Sequence, residues 1–236
     1  MKKLVVFTGA GISAESGIRT FRGSDGLWEE YNIMDGASPE AWAKDPKLVL
    51  EFYNKRKAQV KGAQPNLAHQ LVAQLEEKFE VKVITQNIDD LHERAGSTNV
   101  LHLHGLITQS RSSVDENLIY TIGFDEINLG DNCEKGTQLR PNIVWFGEEV
   151  PNMDKACELV SCADIFVIIG TSLNVHPAAG LIHHAPTNIK KYLIDPNEIK
   201  VNDIENLTFI REKATVGTPI LINQHLKVLL QKDNAF

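Results

Sequence analysis

The chain has 236 residues, 42% of them apolar and 23% charged, the ordinary make-up of a globular protein long enough to bury a substantial core. Its net charge of −7 and the lack of a dense Lys/Arg block argue against nucleic-acid binding, which phosphate neutralisation drives, and no apolar run reaches the ~20 residues of a membrane span. Three cysteines, Cys133, Cys157 and Cys162, make no disulfide framework, and Met1-Lys2-Lys3-Leu4 enters an apolar strand without the h-region of a signal peptide, so the expected location is the cytoplasm.

Residues 4–8 are a continuously apolar run, the pattern of a parallel strand covered on both faces. Gly9-Ala10-Gly11-Ile12-Ser13-Ala14 follows directly, and then a polar, glycine-punctuated loop, Glu15-Ser16-Gly17-Ile18-Arg19-Thr20-Phe21-Arg22-Gly23-Ser24. Residues 30–79 hold helical patterns and no convincing strand; after Pro65, Leu67, Leu71 and Leu75 form an apolar stripe at i+4 spacing. Further buried strands are expected at 81–85, 100–104, 165–169, 191–194 and 207–210. Residues 107–142 are polar and irregular. Thr218-Pro219 reads as the N-cap and first residue of a last helix that carries Ile222, Leu226, Leu229 and Leu230. Strands alternating with helices predict an α/β fold with a Rossmann-like parallel sheet. The two breaks in that alternation predict a smaller inserted module, helical and irregular. The Rossmann-like domain would then comprise residues 1–30, 80–106 and 143–236, the module residues 31–79 and 107–142, and a cleft would lie between them.

Glycines after the first strand let the backbone approach a pyrophosphate, and the following helix offers free N–H groups and its positive dipole end. A tight strand-to-helix turn explains the same pattern without a ligand. A Rossmann dehydrogenase, however, soon reaches a second strand ending in an acidic residue that holds the ribose. Here the next clear strand begins only at Val81, so the loop itself is expected to wrap the cofactor.

The run GAGISAESGIRTFRG closely resembles the sirtuin signature. Thr85-Gln86-Asn87-Ile88-Asp89, Leu103-His104-Gly105, Leu139-Arg140-Pro141 through Val144-Trp145-Phe146-Gly147-Glu148, and Gly170-Thr171-Ser172 with Val175 resemble four further sirtuin motifs, in the family's order. The resemblance implies an NAD-dependent protein-lysine deacylase, most similar to the desuccinylase-type class. In such enzymes the acyl oxygen of a modified lysine attacks the nicotinamide ribose of NAD, nicotinamide leaves, and the acyl group ends on ADP-ribose. Acylated-lysine proteins or peptides would be the substrates.

The resemblance further implies residue roles. His104 matches the catalytic base, for which a pKa near working pH is suited. His102 competes with it: in a strand both would point the same way, and a buried, hydrogen-bonded core histidine is the expected role of His102. Asn87 and Asp89 match catalytic residues around the nicotinamide ribose, although Asx capping of a helix near Asp90 would explain them equally. Gly9, Ala10, Gly11, Ile12, Ser13, Ala14, Gly17, Thr20, Phe21, Arg22, Trp28, Gln86 and Ile88 are expected to bind cofactor, with Phe21 shielding the reacting centre. So are Gly170, Thr171 and Ser172, at the carboxyl end of a strand where open α/β sheets bind ligands. Asp195 stands where the family usually has Asn against the adenosine ribose, and Ala214 matches a backbone contact to adenine. Val144, Trp145, Phe146 and Gly147 match the segment that binds the substrate.

Tyr53 and Arg56 share a helix face at i and i+3. An arginine fork beside a phenol can receive a carboxylate, and the pair resembles the one that marks desuccinylating sirtuins. Succinyl and related acidic acyl groups, with some acetyl, are therefore the expected cargo. Most sirtuins hold a structural zinc with two Cys pairs, and a tetrahedral site needs four such ligands. Between Gly105 and Arg140 this chain has Cys133 alone, no histidine, and Gln109-Ser110-Arg111-Ser112-Ser113 where the first pair is expected. No zinc is expected, and packing through Leu118, Ile119, Tyr120, Ile122 and Phe124 is expected to hold the insertion. Two other readings stay open: an ADP-ribosyltransferase, and a protein that binds NAD or ADP-ribose without turnover.

Overall fold

The computed structural model describes residues 1–20, 36–201 and 203–227. Phe21, Arg22, Trp28, Leu229 and Leu230 therefore lie outside the described residues. Six strands, β1 (Lys3–Thr8), β2 (Glu80–Thr85), β3 (Val100–His102), β7 (Ile165–Ile169), β8 (Lys190–Ile194) and β9 (Leu207–Ile210), form a parallel sheet in the order β3-β2-β1-β7-β8-β9. This is the expected Rossmann-like sheet. Alternate residues of one strand feed two cores. Leu4 and Val6 with Val81 and Val83 pack on one face, and Val5 and Phe7 with Phe166 and Ile168 on the other. Double-sided burial is why these strands read as unbroken apolar runs.

Among the described residues the α-helices are α1 (Gly11–Ala14), α2 (Pro39–Lys44), α3 (Pro46–Gly62), α4 (Leu67–Gln74), α5 (Leu91–Arg94), α6 (Met153–Ser161) and α7 (Ala214–Ile220). The helical character expected for the first insertion holds for its described part. Of the expected leucine stripe only Leu75 reaches the core: Leu67 is exposed and Leu71 half-buried, while Ala68 and Val72 of α4 face inward. A capping box between Asn66 and His69 sets the phase of this helix, with His69 buried beside Ser13. The last helix also differs. It starts at Ala214 with Lys213 as N-cap, so Pro219 lies inside it and Thr218 is buried in it. Among the described residues no helix is long and apolar enough to cross a membrane.

Residues 107–142 are not irregular, as expected from their polarity. Three strands, β4 (Gly105–Ser112), β5 (Ile119–Thr121) and β6 (Leu139–Ile143), form a separate antiparallel sheet in the order β5-β4-β6. These strands carry polar residues even at buried positions such as Thr108, Ser110 and Ser112, which hides the sheet from a search for apolar runs. Of the expected packing set, only Phe124 packs against a core; Ile119 is exposed, and Leu118, Tyr120 and Ile122 are half-buried outside it. Ile107 and Ile143 instead join Val49, Tyr53, Val60, Leu91 and Trp145 in a third core. Asn54 of α3 grips Ile127 from both sides, donating to its carbonyl at 3.0 Å and accepting from its N–H at 3.1 Å.

Candidate active site

The carboxyl ends of four parallel strands converge on one cavity of about 530 Å³, a size ordinary for small-molecule sites. Backbone hydrogen bonds lace these ends together: Gly9 N–H donates to Ile169 O, Gly11 N–H to Gly170 O, Gln86 N–H to Thr8 O and Gly170 N–H to Ile194 O, at 2.8 to 3.1 Å. Such close approach requires glycine. Gly170 has φ +64°, and a Cβ there would come within 2.3 Å of Ile12 N.

Gly9, Ala10, Gly11, Ala14 and Thr20 line one wall of the cavity. Gln86, Asn87 and Ile88 follow β2 into it; Gly170, Thr171 and Ser172 follow β7, and Asp195 follows β8 beside Ala214. Gln86 Nε2 donates to Thr171 Oγ1 at 2.9 Å, and Asn87 Nδ2 donates to Gly9 O and Ser13 Oγ, both at 3.2 Å. Asp195 accepts from Asn197, while burial pushes its carboxyl above the usual range.

Among the described residues, four expected to bind cofactor or act in catalysis do not line this cavity. Ile12 is fully buried in the core beneath the loop. Gly17 forms a turn at φ +85°. Ser13 and Asp89 lie behind the wall, in a small recess shared with Arg56 and Asn87. There Ser13 Oγ donates to Asp89 Oδ2 at 3.0 Å, and Leu91 N–H donates to Asp89 Oδ1 at 3.2 Å. Asp89 thus accepts the first N–H of α5, and its burial raises its carboxyl above the usual range. Sequence reasoning missed Glu15, Phe52, His176, Asn197 and Lys213, which all line the cavity. Lys213 could have been suggested by its place beside Ala214; nothing in the spacing pointed to His176 or Asn197.

The two histidines separate here. β3 ends at His102 rather than at 104, because the chain turns sharply at Gly105 (φ +83°), where a Cβ would collide with Asn142 O. His104 lines the cavity and His102 does not. His104 Nδ1 lies 2.9 Å from Gln86 O. A carbonyl only accepts, so Nδ1 carries the proton and Nε2 keeps its lone pair. That nitrogen has no hydrogen-bond partner among the described residues. His102 Nδ1 lies 3.0 Å from Asn87 O and its Nε2 2.7 Å from Glu93 Oε1. Both of its neighbours accept, so both of its nitrogens donate and it has no lone pair to take a proton. Burial pulls both rings down. The Gln86 carbonyl only partly offsets this for His104, which stays below 6.5, whereas the Glu93 carboxylate carries His102 above 6.5.

α3 and residues 144–147 also line the cavity. Tyr53, Arg56 and Trp145 line it and are buried, while Val144 is half-buried and Phe146 and Gly147 line it from the exposed side. Burial raises the Tyr53 hydroxyl well above its usual range and lowers Arg56 to about 10, so at neutral pH Tyr53 is a neutral donor and Arg56 remains charged. Arg56 Nη2 donates to Arg19 O at 3.2 Å, tying α3 to the glycine loop.

One chain of 236 residues therefore places a glycine loop, a histidine with an open Nε2 and a buried arginine around one cavity. The Sir2 family profile matches residues 9–177.

The chain belongs to the Sir2 family.

It is 49% identical over 235 residues to an NAD-dependent protein deacylase of Bacteroides thetaiotaomicron, covering 98% of both chains. A Helicobacter pylori protein of the same name is 52% identical over 214 residues, covering 91% of this chain and 93% of that one. Among solved structures, a Sir2 homologue mutant in complex with ADP ribose superposes with a TM-score of 0.88 at 42% identity, covering 97% of this chain and 93% of the other. A Sir2 homolog–NAD complex gives 0.86 at 43% identity, covering 97% and 91%. The Sir2 cavity here has the polar groups a dinucleotide requires: backbone glycines at the strand ends, side-chain amides from Gln86 and Asn87, and the Asp195 carboxylate. Among the described residues no three His, Cys, Asp or Glu side chains converge as metal ligands, and Cys133 Sγ lies 3.0 Å from Thr137 Oγ1.

Proposed function

We propose that this Sir2-family protein is an NAD-dependent protein-lysine deacylase that removes succinyl and related acidic acyl groups, and acetyl, from lysine, releasing nicotinamide and O-acyl-ADP-ribose. The observation that carries this reading is His104. It stands in one cavity with the glycine loop and the Tyr53–Arg56 pair, its Nδ1 held by Gln86 O and its Nε2 without a partner among the described residues. NAD, when bound, supplies the electrophilic ribose carbon. His104 Nε2 takes the proton of a ribose hydroxyl, with Gln86 O holding the ring tautomer from behind. Asn87 and, from behind the wall, Asp89 would fix the surroundings of that ribose, and Asp195 would accept from the adenosine ribose. Residues 144–147 hold the acyl-lysine segment. The Rossmann-like and inserted modules, divided as the sequence predicts, would supply opposite sides of the cavity.

Mass spectrometry of acyl-peptide reactions tests this. Succinyl-lysine and acetyl-lysine peptides incubated with NAD should yield free lysine peptide and O-acyl-ADP-ribose, with the succinyl peptide the better substrate. ADP-ribosylated protein with no O-acyl-ADP-ribose would establish the transferase reading instead, and NAD binding without turnover the non-catalytic one.

The small sheet, in this reading, folds without zinc. Its support is a hydrogen-bonded lattice in the place of metal ligands: Ser112 Oγ, Thr137 Oγ1 and Cys133 Sγ meet within 3.0 Å contacts. Metal analysis of the purified protein should find far less than one zinc per chain, and stoichiometric zinc would sink this part.

A further inference from the structure

Two arginines face each other across the small sheet. Arg111 of β4 and Arg140 of β6 are direct register partners, and like charges directly opposite on a sheet destabilise it. Arg140 is 6% exposed, so its charge needs a nearby anion. That anion is Glu148, which belongs to neither strand. Arg140 grips it with both terminal nitrogens, Nη1 to Oε1 at 2.7 Å and Nη2 to Oε2 at 3.1 Å, and Arg111 Nη2 reaches the same carboxylate at 3.1 and 3.3 Å. A forked pair of this kind fixes geometry as well as charge.

The carboxylate has a further duty. Glu148 Oε2 accepts from Trp145 N–H at 2.8 Å, while Glu148 N–H donates to Trp145 O at 3.0 Å. Residues 145–148 therefore form a turn closed from both ends, with Gly147 at φ +93° within it. Arg140 also lies flat over the Trp145 indole, 3.1 Å from its centroid, and donates to Ile143 O at 2.9 Å. Burial acts to raise the Glu148 carboxyl, but the hydrogen bonds from Arg140 and Trp145 outweigh it and hold the group ionised below the usual range. Trp145 in turn packs in one core with Tyr53 and stacks near Trp42.

We propose that Glu148 is a positioning residue for the acyl-lysine substrate: bridging Arg111 and Arg140, it locks the Trp145–Gly147 turn, and with it the acyl end of the cavity, to the small sheet. The proposal rests on the deacylase reading above. It assigns the small sheet a task in substrate binding that does not extend to the cofactor end, where Gly9, Gly170 and Asp195 are held by the parallel sheet instead.

Steady-state kinetics of the full chain, with NAD and an acyl-lysine peptide varied separately, tests it. Glu148→Gln should raise the KM for peptide roughly tenfold or more, the loss of a charge-assisted clasp, while kcat and the KM for NAD stay within about threefold. Arg111→Met, which leaves the Arg140 fork in place, should raise the peptide KM alone by a smaller factor, and it decides the matter if Glu148→Gln does not fold. An unchanged peptide KM in Arg111→Met and any folded Glu148→Gln overturns the proposal. So does a parallel rise of both KM values with a fall in Tm, which would make Glu148 a staple of the fold only. Absence of acyl-peptide turnover in the unsubstituted protein would instead remove the deacylase reading itself, and the proposal with it.

Discussion

Replacing His104 by alanine is expected to lower deacylation by about 10²- to 10⁴-fold, the range of a lost general base, while binding of NAD persists. Its ring touches Gln86 O and the cavity, and the backbone laced around Gly9 and Gly170 does not depend on it. A variant retaining more than a tenth of the activity, with NAD binding intact, would remove His104 from the mechanism. The pH dependence gives an independent check. A base works only when neutral, so activity is lost as pH falls through its pKa. Burial holds His104 below the ordinary histidine value of 6.5, and the acid limb of kcat/KM should therefore lie below pH 6.5. His102, carried upward by Glu93, would place that limb above 6.5. Substituting His102 should leave the position of the limb unchanged.

Arg56→Met should lower kcat/KM for a succinyl-lysine peptide by roughly 10- to 100-fold and leave that for the acetyl peptide within about threefold. A charge-assisted hydrogen bond contributes about 1.5–3 kcal/mol, and each 1.4 kcal/mol is tenfold. Arg56 meets the conditions for the larger figure: it is 5% exposed, and its pKa of about 10 keeps it charged at neutral pH. Tyr53, one helical turn away, stays a neutral donor. Because Arg56 also donates to Arg19 O, the KM for NAD should be followed in the same variant. Intact succinyl turnover in Arg56→Met would overturn the acidic-acyl assignment. Arg56→Lys, which keeps the charge without the fork, should recover only part of the loss.

Much of the fold was legible because buried parallel strands are apolar on both faces, and all six expected strands are present. The antiparallel sheet of β4, β5 and β6 was not legible. Its cohesion comes in part from Ser112, Thr137 and Arg140, residue types that read as loop when their partners are unknown. The α4 stripe failed for a related reason. Leucine at i+4 spacing marks a face, but the capping contact of Asn66 with His69 decides which face turns inward.

By itself the sequence determined the parallel α/β sheet, the glycine loop at the end of its first strand and the membership of the Sir2 family, because each is written in residues adjacent along the chain. It also paired Tyr53 with Arg56, since helix spacing is local. Only the tertiary structure decided between His102 and His104. The difference lies in the partner of each second ring nitrogen, Glu93 for one and the open cavity for the other. The same holds for Ile12, Ser13 and Asp89, which motif spacing groups with the cofactor loop and packing sets behind the cavity wall. It holds again for Glu148, whose two arginines come from different strands. A side chain's charge, tautomer and aim depend on groups far away in sequence, and those meet only once the chain has folded.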